Sequence, residues 1–261
     1  IRLMLDLLRK DEKVRALRRE KSNVGLVRDI FSFHGKRDLF DQIEWLEGDI
    51  LDIESLESAM IGVERVFHCA AVVSFHKSDR DEILKVNIEG TANICNVALG
   101  HGVKKLCHIS STAAIGRTVS GERVVESNVW EESKLNSVYA ASKHSAEQEV
   151  WRSLEEGLQA VVVNPSVIIG PGDINRSSAR LFGTVNKGMK YHPTGVNGFV
   201  GVGDVSAACI RLMDSDINGE RYIINGENMA YQDLFTRMAL KLGVTPPSVA
   251  ASMTSMKIYL F

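Results

Sequence analysis

Two periodicities alternate along the chain. Apolar residues gather in strand-length runs at Val14-Arg15-Ala16-Leu17-Arg18, Ile43 to Asp49, Val63 to Ala71, Lys104 to Ser111 and Ala160 to Pro165, each closed by charged, small or hydroxyl residues. Between them the spacing predicts helices: a polar stretch through residues 31–40, then 52–60, 79–99 and 137–156. Strands separated by helices of this length build right-handed βαβ units and a parallel sheet covered on both faces. The expected class is therefore α/β, with a doubly wound parallel sheet. Beyond Pro165 the alternation gives way to Gly- and Asn-rich segments such as Gly170-Pro171-Gly172-Asp173 and Pro193 to Gly198, followed by a helical stretch from Tyr231 to Leu242. One domain is expected over residues 1–169 and a small C-terminal lobe over 170–261, with 199–225 returning to the first domain's core. Asp204, in Gly201-Val202-Gly203-Asp204-Val205, is expected to cap a helix from Val205 to Met213. The apolar start, Leu3, Leu5, Leu7 and Leu8, carries no helix-start signal, so the sequence opens in mid-helix and further residues are expected upstream.

Composition narrows the partner. The 261 residues are 44% hydrophobic and 25% charged, with a formal net charge of −2. That balance suits a soluble globular protein and gives no electrostatic reason to expect nucleic acid or an anionic membrane. The first segment carries Arg2 and Asp6 and is too short for a membrane span or signal peptide. Cys69, Cys95, Cys107 and Cys209 stand far apart in apolar runs, which reads as four core thiols in a reducing cytoplasm rather than a metal knuckle or a disulfide frame. The seven histidines show no metal spacing, and no metal is expected. Asn175-Arg176-Ser177 matches a glycosylation sequon and, without a secretory signal, reads as coincidence.

The chemistry is concentrated in Tyr139-Ala140-Ala141-Ser142-Lys143. Residues four apart on a helix share one face, so the Lys143 ammonium can act on the Tyr139 phenol. A free tyrosine ionises near pH 10, and an adjacent positive charge favours phenolate. Tyr139 could then give a proton to a carbonyl, or take one from an alcohol. The strand ending Ile109-Ser110-Ser111-Thr112 brings hydroxyls to the carboxyl edge of the sheet, where ligands bind in such folds.

A serine strand, a long loop and a Tyr-x-x-x-Lys helix in a parallel α/β frame together resemble the short-chain dehydrogenase/reductase superfamily. The likeness is to its extended branch, the epimerase/dehydratase, 3β-hydroxysteroid dehydrogenase and dihydroflavonol reductase group, over residues 3–242. The resemblance implies a Rossmann domain and a substrate lobe. It places Ser111 at the catalytic serine, with Ser110 and Thr112 as alternatives, Tyr139 as acid/base, and Lys143 as its activator and ribose ligand. Asn164-Pro165-Ser166-Val167-Ile168-Ile169-Gly170-Pro171 is similar to the family's Arg-Pro-x-x-x-x-Gly-Pro segment, with Asn164 in place of Arg.

On the cofactor side, Asp49 resembles the family's adenine-contacting acid, followed by Ile50; it could equally cap the helix near Asp52. Ala70 and Ala71 resemble the small-residue cofactor turn, or serve tight packing. Asn87 is similar to an Asn that supports the active site, or is a local cap. Pro165 and Val167 are expected beside the nicotinamide. Arg18 and Arg19 end the strand that selects between cofactors, and guanidinium groups suit a 2′-phosphate, so NADP(H) is favoured over NAD(H). A glycine-rich phosphate-binding turn is not in the sequence and is expected upstream of Ile1.

The function so implied is an NAD(P)-dependent oxidoreductase passing hydride between nicotinamide and a secondary alcohol or ketone, dihydroflavonol-reductase-like or sterol-dehydrogenase-like. Two alternatives stand beside it. One is a nucleotide-sugar epimerase or dehydratase, for which Arg176, Arg180 and Lys187 are the cationic candidates. The other is a non-catalytic nucleotide-binding sensor. The partner is a small carbonyl or alcohol, not nucleic acid or membrane, and a homodimer is a family-based expectation.

Overall fold

The computed structural model describes residues 1–118, 122–175 and 178–251. In chain order the elements are α1 (Arg2–Leu8), β1 (Arg15–Arg18), α2 (Val24–Phe33), α3 (Arg37–Phe40), β2 (Glu44–Glu47), α4 (Ile53–Met60), β3 (Arg65–His68), α5 (Arg80–Leu84), α6 (Gly90–Gly100), β4 (Lys105–Ile109) and α7 (Val138–Glu155). They continue as β5 (Ala160–Pro165), β6 (Val167–Ile169), α8 (Ala179–Asn186), β7 (Tyr191–His192), β8 (Val196–Gly201), α9 (Val202–Met213), β9 (Glu220–Ile224), β10 (Glu227–Ala230), α10 (Tyr231–Leu242) and β11 (Val249–Ala250). The chain divides into two compact units, residues 1–165 with 205–224, and 166–204 with 225–261.

In the first unit, β3, β4, β5 and β9 form a four-stranded sheet in the order β3-β4-β5-β9, and every pair is parallel. A second parallel pair joins β1 to β2. β5 is buried along its whole length, as a central parallel strand covered on both faces must be. Its Ala160 and Val162 pack with Leu106 of β4 against Cys95 and Ala98 of α6 and Val150 of α7. A neighbouring cluster joins Leu5 and Leu8 of α1 to Phe31 of α2 and Ile210 of α9. Side-chain caps set where several helices start: Asn23 Oδ1 accepts from Leu26 N at 3.0 Å, Asp52 Oδ1 from Glu54 N at 3.2 Å, and Ser137 Oγ from Ala140 N at 3.1 Å. Each satisfies a helix N–H that has no intrahelical acceptor.

The expected helix over 79–99 forms as one helical run from Arg80 to Gly100, with a π-helical turn inside it. A 3-10 turn (Lys77–Asp79) leads into α5, and the π-helical turn (Lys85–Glu89) links α5 to α6. The π-helical turn leads into a close approach at Gly90, where a Cβ would lie 2.4 Å from Ile50 Cδ1.

The second unit holds a three-stranded sheet in the order β10-β8-β6, with β6 parallel and β10 antiparallel to β8. A parallel pair joins β7 to β11. Phe199, Phe235, Met238 and Val185 form its core. The stretch 199–225 thus rejoins the first unit from Val205, because β8 pairs within the second unit. Asp204 does not cap a helix beginning at Val205: α9 starts at Val202, and Asp204 lies in its first turn. There its charge still complements the positive end of the helix dipole.

Candidate active site

β4 carries two consecutive serines to the carboxyl edge of the sheet, and their roles diverge. Ser110 is buried, and its hydroxyl donates to Glu147 Oε1 at 2.5 Å. Ser111 is half-buried; its hydroxyl oxygen accepts from Ala113 N at 3.2 Å, capping a 3-10 turn over Thr112–Ile115, and its side chain lies near enough to the Tyr139 phenol to favour the charged form. Alternating strand geometry explains the split, since neighbours on a strand point to opposite faces.

The Ser137 cap places Tyr139 in the first turn of α7 and Lys143 one turn later on the same face. Lys143 is 2% exposed. Its Nζ donates to Ile109 O at 3.0 Å and lies 3.3 Å from His108 Nε2. Burial lowers its pKa to about 8, against the opposing pull of Glu147 and Cys69. The phenolate expected at Tyr139 is not favoured here. Burial raises the phenol above its ordinary value of 10.0, and the Ser111 hydroxyl only partly offsets that. Desolvation penalises the charged form, and it is the larger effect.

Glu147, one further turn along α7, is fully buried. Besides Ser110 it accepts from Asn164 Nδ2 at 2.6 Å, and the same amide donates to Ser111 O at 2.9 Å. Arg221 of β9 supplies the countercharge, 3.3 Å from Glu147 Oε2. Its guanidinium also donates to the carbonyls of Glu126 and Asn128 at 2.9 and 2.8 Å, holding the loop before α7.

Asn87 sits in the π-helical turn. Its Oδ1 accepts from Val72 N at 2.7 Å, and its Nδ2 donates to Val72 O at 3.0 Å and Ser142 Oγ at 2.9 Å. The segment after β3 is thereby tied to the tyrosine helix. That segment carries Ala70 and Ala71, both exposed, and Phe75, 61% exposed, whose ring meets Tyr139 edge-on at 5.9 Å.

The remaining residues singled out in the sequence make other contacts. Arg18 is ion-paired with Glu47 at 3.2 Å, and Arg19 is exposed. Arg18 lines a cleft with Ser22, Asn23 and Gly25 at the start of α2. Asp49 does not cap α4, a task taken by Asp52; its Oδ1 accepts from Leu51 N at 3.0 Å in a local turn. The Ile50 side chain is core, and its carbonyl accepts from Asn93 Nδ2 at 3.1 Å. Pro165 ends β5 in the first unit, and Val167 opens β6 in the second. Cys69 is exposed at the end of β3, a correction to the expectation of four core thiols; Cys95, Cys107 and Cys209 are buried. Arg180 lies on α8, with Lys187 at its C-cap. Arg176 and Ser177 of the sequon lie outside the described residues. Among the described residues no helix is long and apolar enough to cross a membrane.

Glu147, His108, Arg221 and Phe75 were not singled out in the sequence. Only Glu147 left a signal, a carboxylate one turn after Lys143 on the same helix face.

At 32% identity, covering 87% of this chain and 66% of that protein, the sequence is similar to sterol demethylase protein B of Methylococcus capsulatus. It is also 32% identical to a putative dihydroflavonol 4-reductase of Synechocystis, covering 94% of this chain and 70% of that protein. The fold matches Thermus thermophilus UDP-glucose 4-epimerase in complex with NAD, with a TM-score of 0.77 at 24% identity, over 98% of this chain and 88% of that one. Residues 2–253 match the 3-beta hydroxysteroid dehydrogenase/isomerase family, and the chain belongs to that family.

Proposed function

We propose that the protein is an NAD(P)-dependent oxidoreductase that interconverts a secondary alcohol and a ketone on a dihydroflavonol-like or sterol-like substrate. The observation that carries this is Tyr139 in the first turn of α7, with the Ser111 side chain near its phenol and the buried Lys143 amine one helical turn on. The donor set fits a dinucleotide. Exposed Ala70 and Ala71 let the cofactor approach the backbone, Asn87 braces that segment, and Lys143 offers an ammonium for a ribose hydroxyl. By family likeness Asp49 and Ile50 are assigned to the adenine, and Pro165 and Val167 to the nicotinamide. NADP(H) is favoured over NAD(H), because Arg19 is exposed and Arg18 lines a cleft with Ser22 at the start of α2, a setting suited to a 2′-phosphate.

A bound nicotinamide supplies or accepts the hydride. Ser111 holds the substrate oxygen, and Tyr139 keeps its proton at neutral pH and delivers it to that oxygen from a site where burial disfavours the bare phenolate. Phe75 and the neighbouring Val73, both exposed, offer an apolar wall for a flat ring system. A homodimer belongs to the same proposal by family likeness, and a cytoplasmic location by the four free thiols.

The test follows NADPH consumption over a panel of dihydroflavonols and 3-ketosteroids, with Tyr139→Phe as comparison. The variant should lose activity by about 10²–10⁴-fold. Wild-type turnover by Tyr139→Phe would refute the assignment.

A further inference from the structure

Beneath Lys143 lies a buried pair of imidazoles outside the residues assigned above. The His108 ring is fully buried, and its centroid is 4.9 Å from that of His68, itself 2% exposed. The hydrogen bonds fix both tautomers. Thr91 has one hydroxyl proton, which it donates to Asn87 O at 2.7 Å. The 2.8 Å contact between His68 Nε2 and Thr91 Oγ1 therefore requires the proton on His68 Nε2. An ammonium has donors only, so the 3.3 Å contact from Lys143 Nζ requires a lone pair on His108 Nε2 and its proton on Nδ1.

His108 Nδ1 and His68 Nδ1 are both buried and have no hydrogen-bond partner among the described residues. A buried N–H without an acceptor costs free energy that an apolar side chain at position 108 would not. Packing alone gives no reason for histidine there. The compensating feature is the acceptor that Nε2 presents to Lys143.

We propose that His108, held in its Nδ1–H tautomer, is a positioning residue that anchors the Lys143 ammonium from below. With Ile109 O it fixes two of the three N–H donors against β4, so the direction of the third is set by the sheet rather than by a flexible side chain. The charged or titratable groups facing this contact are Lys143 and Glu147 on α7, His68 on β3 and Cys69 just beyond it. His108 stays neutral because burial first, and the Lys143 ammonium second, hold its pKa well below the ordinary value. The assignment rests on the role proposed for Lys143.

The test is NMR titration of protein labelled at lysine ¹³Cε, with the Lys143 resonance identified by its loss in Lys143→Met. Wild type should titrate near 8. His108→Met removes the acceptor and should lower the midpoint by about one unit. His108→Gln, whose amide oxygen can reach the same place, should restore it. A His108→Met midpoint equal to wild type overturns the proposal, as does a His108→Gln midpoint as low as that of His108→Met. Turnover of Lys143→Met with NADPH and a dihydroflavonol separates the two claims. Wild-type turnover there would remove the reductase assignment and leave the titration result unaffected.

Discussion

Arg221 and Glu147 form an ion pair across the first unit at 3.3 Å, with the carboxylate wholly buried and the guanidinium 21% exposed. The two residues are separated by 74 positions in sequence. A buried carboxylate that loses its ion-pair partner is strongly destabilising, whereas removing both charges together is far less so. Arg221→Met should therefore cost about 3 kcal/mol in urea unfolding, and adding Glu147→Gln should recover part of the loss. A single variant that unfolds at the wild-type midpoint would show that the pair contributes nothing.

The two serines at the end of β4 should separate rate from stability. Ser111→Ala should lower turnover by about 10²-fold and, through the lost cap on Ala113 N, cost about 1 kcal/mol of stability. Ser110→Ala withdraws a donor from buried Glu147 and should cost about 1–3 kcal/mol while sparing more of the rate. Kinetics and unfolding measured on the same preparations decide the matter, and the opposite pattern would move the catalytic role to Ser110.

Lys143 makes stability depend on pH in the alkaline range. Its pKa is about 8 in the fold, against an ordinary 10.5. Between these values the unfolded chain binds the proton and the folded protein does not, so stability rises with pH across that window. Wild type should gain up to about 3 kcal/mol relative to Lys143→Met between pH 8 and 10.5, with a constant difference below pH 8. Thermal unfolding of both proteins across that range checks it; parallel curves would mean that Lys143 titrates normally.

His68 acts at the acid end. Its pKa is about 3 in the fold against 6.5 ordinarily, through burial first and Lys143 second. The unfolded chain takes up the proton first, so stability is complete above pH 6.5 and is lost as pH falls toward 3. His108 shifts in the same direction. His68→Gln should flatten the pH dependence of the urea midpoint between pH 6.5 and 4; an equally steep dependence would place the acid sensitivity elsewhere.

The tyrosine helix, the serine strand and the parallel α/β order were legible in the sequence because each is a local pattern. Four-residue spacing puts Tyr139 and Lys143 on one face whatever surrounds them. What surrounds them was not legible. Arg221 reaches Glu147 only because β9 lies beside β5, and pairing between distant strands leaves no mark in a window of ten residues. The direction of the Tyr139 shift was misjudged for the same reason: charge proximity can be read from spacing, but burial depends on the whole unit. The early start of α9 at Val202 went unseen because Gly201-Val202-Gly203 looks like a turn.

Asn87 returns a donor and an acceptor to the single residue Val72, the exchange that a neighbouring strand would make with it. The side chain thus serves as a one-residue strand, set where the π-helical turn brings the helix to face an irregular segment. Chemically the position distinguishes an amide from an acid. Aspartate would keep the bond from Val72 N and set a carboxylate oxygen against Val72 O, turning attraction to repulsion on one side of the exchange. The segment bearing Ala70, Ala71 and Phe75 would then be held by half its clasp.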